Sequence, residues 1–147
     1  MTGTEAEDLA RRWFEELFND ADPTAADELL ADDVRYHGPK SLTPGDVTSP
    51  ADVAEYAAVY RQAFPDLQYT VDDVFGSGDV VGVRWTATGT HQSDLFGIDP
   101  TGEVFVAEGI NVFSIADGRI AEVWSEWDTL RMARELDVIP PLGSDGE

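Results

Sequence analysis

The sequence predicts an α+β domain in which one antiparallel sheet is covered on one face by helices. Three observations carry that expectation. Apolar residues recur at helical spacing through most of the first 65 positions, interrupted by a single short strand, whereas the stretch from about 67 to 128 alternates with a period of two. The extended runs are divided by tight turn sequences, Gly76-Ser77-Gly78-Asp79 and Ala116-Asp117-Gly118, so consecutive strands should pair antiparallel.

The elements follow in order. Thr4 stands three residues before Glu7 as a capping box, and Leu9, Trp13, Phe14, Leu17 and Phe18 then mark a helix over about 5–18. Asp22-Pro23 opens a second, short helix that closes near Ala31. Asp33 to His37 alternates as a short strand, stopped by Gly38-Pro39. Lys40 to Pro50 reads as a surface loop, after which Ser49-Pro50-Ala51-Asp52 caps a third helix ending at Phe64-Pro65. Four strands are expected at about 67–76, 79–91, 103–115 and 118–128, with a short helix from Thr129 to Leu136 and a loose tail from 137 to 147. The whole chain, 1–147, reads as one domain. Gly82, Gly89 and Gly109 lie inside strands, where curvature or bulges are the usual reason for glycine; a strongly curved sheet would form a cone.

Strand faces locate the candidate chemistry. In the second long strand Val81, Val83, Trp85, Ala87 and His91 share one face, so an ionisable ring ends an apolar row. In the last, Ile120, Glu122, Trp124, Glu126 and Asp128 share a face and Ala121, Val123, Ser125 and Trp127 the other. Three carboxylates on one face need a cavity or solvent, because an unpaired buried charge costs several kcal/mol. With helices over that face, Asp128 is expected to meet the end of the neighbouring apolar row, within reach of His91. Asp128 has two readings, a carboxyl whose pKa an apolar pocket raises for acid/base work, or an N-cap for the helix that begins at Thr129. His91 likewise is a site residue or a turn histidine bonded to backbone. The loop from Gln92 to Gly102 carries Leu95-Phe96-Gly97-Ile98, an apolar cluster suited to lidding a cavity.

Composition narrows the classes. Thirty acidic residues against nine basic ones give a net charge of −21, which repels nucleic-acid phosphates and, in low salt, the protein itself. Adaptation to a high-salt cytoplasm is the expectation, since the Debye length falls to about 3 Å at 1 M. No apolar run approaches the roughly 20 residues of a membrane span and the N-terminus is acidic, which predicts a soluble cytoplasmic protein without membrane partners. With no cysteine, disulfides, thiolate zinc sites and cysteine nucleophiles are excluded. His37 and His91 lack metal-ligand spacing, so no metal is expected, and no phosphate-binding glycine loop or GxSxG elbow occurs. An apolar outer sheet face carrying Val123 and Trp127 predicts a homodimer.

Eight segments in register carry a family resemblance: Phe64-Pro65-Asp66-Leu67, Gly78-Asp79, Val83-Arg84-Trp85, Gly89-Thr90-His91, Pro100-Thr101-Gly102, Asp117-Gly118-Arg119-Ile120, Glu122-Val123-Trp124 and Trp127-Asp128. In this order the chain resembles the SnoaL-like polyketide (ester) cyclases. It departs at Ser93, Asp99 and Glu103, in or beside the 92–102 loop. The resemblance implies the NTF2-like cone, a curved antiparallel sheet with three helices enclosing a pocket. It also implies a cofactor-independent intramolecular aldol closure of a small, largely apolar carbonyl compound. Asp128 would then be the acid/base and His91 its partner, with His37, Tyr60, Phe64, Trp85 and Trp124 around the substrate. Two other readings are a non-catalytic ligand-binding or dimerisation module and an epoxide hydrolase or isomerase of the same fold; for the hydrolase, Arg84 lies on the wrong strand face.

Overall fold

Helix α1 (Gly3–Arg12) does not continue as an α-helix to Phe18 but runs into a π-helical segment, Trp13–Asn19. The computed structural model describes residues 3–39, 43 and 45–137. Wider i→i+5 turns, closed by Asp20 N–H on the Glu15 carbonyl at 3.0 Å, spread the inward stripe so that Trp13, Phe14, Leu17 and Phe18 are all buried. The Thr4–Glu7 capping box rests on a side chain outside the described residues, as does the 138–147 tail. Arg61 donates to the Phe18 and Asn19 carbonyls at 2.6 and 2.8 Å, which satisfies that helix end. Asn19 in turn grips β2 through both its amide groups, accepting from Tyr69 N at 2.7 Å and donating to Tyr69 O at 3.0 Å.

Helix α2 (Pro23–Leu29) is capped by Asp22, whose carboxylate accepts from Thr24 N, with proline in the first turn. It ends two residues earlier than the periodicity suggests, because Leu30 already belongs to strand β1 (Leu30–His37). Helix α3 (Pro50–Ala63) starts at Ser49, which accepts from Asp52 N at 3.1 Å. Then follow β2 (Gln68–Ser77), β3 (Val80–Thr90), β4 (Val104–Ala116), β5 (Arg119–Trp127) and α4 (Thr129–Glu135), each within two residues of its expected bounds. The β4–β5 turn has Asp117 and Gly118 both at positive φ, 53° and 76°, the geometry that matches strand twist in a two-residue hairpin.

The five strands form one sheet in the order β1-β5-β4-β3-β2. Strands β2 to β5 pair antiparallel, as the tight turns imply, while β1 lies parallel to β5. Buried residues of β3 and β4, including Val81, Val83, Trp85, Phe105, Ala107 and Phe113, face the helices, and the main core lies between those two layers.

One expectation about the sheet is corrected. Strand β5 carries a bulge: Ile115 opposes Ile120 while Ser114 opposes Glu122, leaving Ala121 as the extra residue. The bulge shifts the phase of alternation, so Ile120, Val123 and Ser125 are buried whereas Trp124, Glu126 and Asp128 are exposed. Val123 and Trp127 therefore do not form an outer face. The strand glycines lie in a curved sheet, one of the two reasons expected for them, and not at bulges of the β3–β4 pair, whose register is regular through all three. They make room for aromatic rings: a Cβ on Gly82 would stand 2.2 Å from the Phe75 ring, and one on Gly109 2.5 Å from Trp85.

Candidate functional site

Between the π-helical segment, α3 and the sheet lies an internal pocket whose wall is mostly aromatic. Trp13, Phe14 and Phe18 come from the helix, Tyr56 and Tyr60 from α3, Tyr36 from β1 and Tyr69 from β2, with Trp85, Phe105 and Trp127 from the other strands. All four tyrosines of the chain are on this wall. The open volume among the rings is about 20 Å³, about that of a single water-sized site, so a larger ligand has to part them. Among the described residues lining it there is no Asp, Glu, His, Lys or Arg. Its polar groups are the four phenols, the Asn111 carboxamide and the Ser125 hydroxyl.

These groups are organised. The Tyr36 and Tyr56 hydroxyls are 3.1 Å apart, Tyr36 also engages Ser125, and Tyr56 engages Tyr60. The Trp85 indole N–H donates to Asn111 Oδ1 at 3.0 Å. Burial pushes all four phenols up from their ordinary range, so each keeps its proton and remains a donor at neutral pH. On the open side, the 92–102 loop brings Phe96 edge-on to Tyr60 at 5.8 Å, while Leu95 anchors the loop in the core.

The residues expected from sequence divide. Tyr60 and Trp85 line the pocket. Phe64 is fully buried behind it, 4.6 Å from Phe105 and stacked on Tyr60 at 6.4 Å. His37 and Trp124 stack on each other at 5.6 Å on the opposite face of the sheet, where His37 Nε2 lies 2.6 Å from Glu122 Oε2. They belong to an outer surface because the β5 bulge turned Trp124 outward.

Asp128 and His91 are not brought together. Asp128 N–H bonds the Glu108 carbonyl, and Glu108 opposes Thr86, five residues before His91 on β3; five strand residues span about 16 Å. Asp128 is exposed and caps α4, its Oδ1 accepting from Arg131 N at 2.9 Å. His91 is fully buried beneath the loop, where Thr101 N–H donates to Nδ1 at 3.3 Å and Nε2 has no hydrogen-bond partner among the described residues. Its backbone clasps both ends of the loop, with His91 N on Glu103 O and Gly102 N on His91 O. Arg84 is likewise outside, paired with Asp73 at 2.7 Å. No group of three or more potential metal ligands occurs among the described residues, and no helix among them is long and apolar enough to cross a membrane.

Residues 8–136 match the SnoaL-like polyketide cyclase family. The chain belongs to that family. IdmH from Streptomyces antibioticus, a polyketide cyclase candidate, is 31% identical over 89% of this SnoaL-like chain and 97% of its own, with a TM-score of 0.77. TsrD from Streptomyces laurentii is 25% identical over 95% of this chain and 99% of its own, at a TM-score of 0.82. AclR from Streptomyces galilaeus, a hydroxylase candidate, shares the fold at 24% identity, covering 95% of this chain and 100% of its own, with a TM-score of 0.79. No curated protein matches the sequence. The fold is thus the NTF2-like cone of the SnoaL-like cyclases, five curved strands in an unclosed sheet with four helices.

Sequence reasoning missed Ser125, Asn111, Tyr36 and Tyr56 as pocket groups. For the tyrosines a usable signal was present, since all four lie on elements expected to face the helix–sheet interface, whereas Ser125 alternates with Val123 and Trp127, a row the unbulged pattern puts on the outer face.

Proposed function

We propose that the protein is a cofactor-independent cyclase-type enzyme that takes a small, flat, largely apolar carbonyl compound into the aromatic pocket and closes a ring by an intramolecular aldol-type step. The supporting observation is the pocket wall itself, aromatic rings with a few hydroxyl and amide groups and no Asp, Glu, His, Lys or Arg among its described residues. Rings of this kind favour a planar apolar ligand, and the hydroxyl and amide groups are the right partners for carbonyl oxygens. A carbanion next to a carbonyl is delocalised onto oxygen, so donors in a dry pocket lower the cost of forming it. In this reading Asp128 and His91 support the end of β5 and the loop over Tyr60 and do not touch the ligand; the α-proton passes to solvent water admitted as the rings part, the enolate carbon bonds the second carbonyl carbon, and the proton returns to the alkoxide formed there.

The same absence of a carboxylate or imidazole in the wall favours a second reading, a non-catalytic carrier of such a ligand. A 1,5-diketone separates the two. With 2,6-heptanedione in metal-free buffer, the enzyme reading expects cyclisation to 3-methylcyclohex-2-enone above the uncatalysed rate. Saturable binding of the diketone without any excess enone would leave the carrier reading in its place.

A further inference from the structure

Asn111 on β4 and Ser125 on β5 are directly opposite one another in the sheet, on the face that floors the pocket. Directly opposed residues place their Cβ atoms about 5 Å apart, near enough for two side chains to bind one oxygen atom. Both are almost completely buried, at 3% and 2% exposure. Each is backed by a partner that fixes which of its groups is spent. The Trp85 indole can only donate, so the Asn111 atom it meets is the oxygen, and the two amide N–H bonds remain as donors. Behind Ser125 stands the series Tyr60, Tyr56, Tyr36. Against the larger upward push of burial, the Ser125 hydrogen bond lowers the Tyr36 phenol, as a donor to its oxygen does. A hydroxyl rotates, so a ligand oxygen can take the serine proton with Tyr36 turning to donate to Ser125 and Tyr56 to Tyr36, and hydroxyls in series strengthen one another as donors.

We propose that Ser125 and Asn111 form the oxyanion site of the pocket, donating O–H and N–H to the ligand's carbonyl oxygen as it gains negative charge, with Tyr36 and Tyr56 as positioning residues. The proposal rests on the reading of this pocket as the ligand site. Stacking holds the supporting rings in place: Tyr36 lies 5.7 Å from Trp13 and 4.9 Å from Tyr56, and Tyr56 lies 5.1 Å from Tyr60. Donors held before the charge develops need no reorganisation when it does. A core built for stability alone has no need of a serine and an asparagine facing each other there, since apolar side chains of that size avoid the desolvation of two polar groups.

The probe is 4-nitrophenol, whose anion is yellow and whose oxygen is a stable stand-in for an enolate oxygen. Binding is followed by quenching of tryptophan fluorescence, and the protonation state of bound probe by its absorbance as pH is varied. The wild-type protein should favour the anion over the neutral phenol. Ser125→Ala should reduce that preference about tenfold or more, as expected for loss of a hydrogen bond to a charged oxygen. Tyr56→Phe should give a smaller change of the same sign. Near-UV circular dichroism checks that each variant retains its packing, and Ser125→Ala, which removes one oxygen, decides the matter if a larger change unfolds the chain. Equal anion preference in wild type and Ser125→Ala, with the probe bound, overturns the oxyanion site and leaves the pocket reading standing. A probe that does not quench at all removes both.

Discussion

An aspartate at the end of a strand has two uses, cap and acid, and at position 128 geometry separates them. The carboxylate is exposed and accepts from Arg131 N, so its visible role is to start α4. Asparagine caps a helix as well as aspartate does, whereas alanine costs about 1 kcal/mol. Asp128→Ala is therefore expected to lower the melting temperature and Asp128→Asn to leave both stability and ligand binding as in wild type. Asp128→Asn with unchanged melting but abolished diketone cyclisation would restore the acid/base role that the family resemblance implies. At Ser125 the reverse holds: a small side chain with no charge sits where the fold offers a buried position at the pocket floor.

Glycine in the middle of β4 shows how an element is shaped by what it must leave open. Gly109 opposes Trp85 on one side and Trp127 on the other, and the two indoles meet at 6.5 Å across it. A methyl group there would lie 2.6 Å from Trp127 Cβ and 2.8 Å from the Glu126 carbonyl, atoms that cannot swing away. Gly109→Ala should destabilise the protein by about 1–3 kcal/mol in urea titrations, and an unchanged midpoint would refute this account of the pocket floor. Element order, type and approximate bounds were legible because hydrophobic period and turn residues are local. The inner face of β3 was legible for the same reason, with Val81, Val83, Trp85, Ala87 and His91 all buried as the alternation implies. The face of β5 was not, since the bulge at Ala121 is a property of its pairing with β4 and leaves no mark in Ile120-Ala121-Glu122-Val123. That one residue moved Trp124 and Asp128 out of the expected site and put Ser125 into it. Likewise, the π-helical turn that brings Trp13, Phe14 and Phe18 to one wall has no separate period visible among α-helical ones.

Across the whole molecule the outer sheet face carries a row of register partners, apolar on β2 to β5 and ending at His37 on β1. Phe75, Gly82, Val112, Trp124 and His37 are successive register partners, with Phe75 56% and Trp124 42% exposed. The homodimer anticipated from sequence is proposed to use this row in place of Val123 and Trp127. A charge of −21 opposes both folding and pairing through self-repulsion, which salt screens. Melting temperature and dimer fraction by light scattering should therefore rise together between low and molar KCl, and Trp124→Glu should abolish the dimer but not the fold. A wild-type monomer in molar KCl would contradict the pairing. The central claim, that the internal aromatic pocket is the functional site, is tested most directly by the four indole N–H resonances of the chain. Trp13, Trp85 and Trp127 line the pocket and Trp124 faces outward. On titration with a flat aromatic ketone such as 1-hydroxy-2-acetonaphthone, the first three should shift in ¹H–¹⁵N spectra and Trp124 should stay in place. Movement of Trp124 alone would place the ligand on the other face of the sheet and contradict the account.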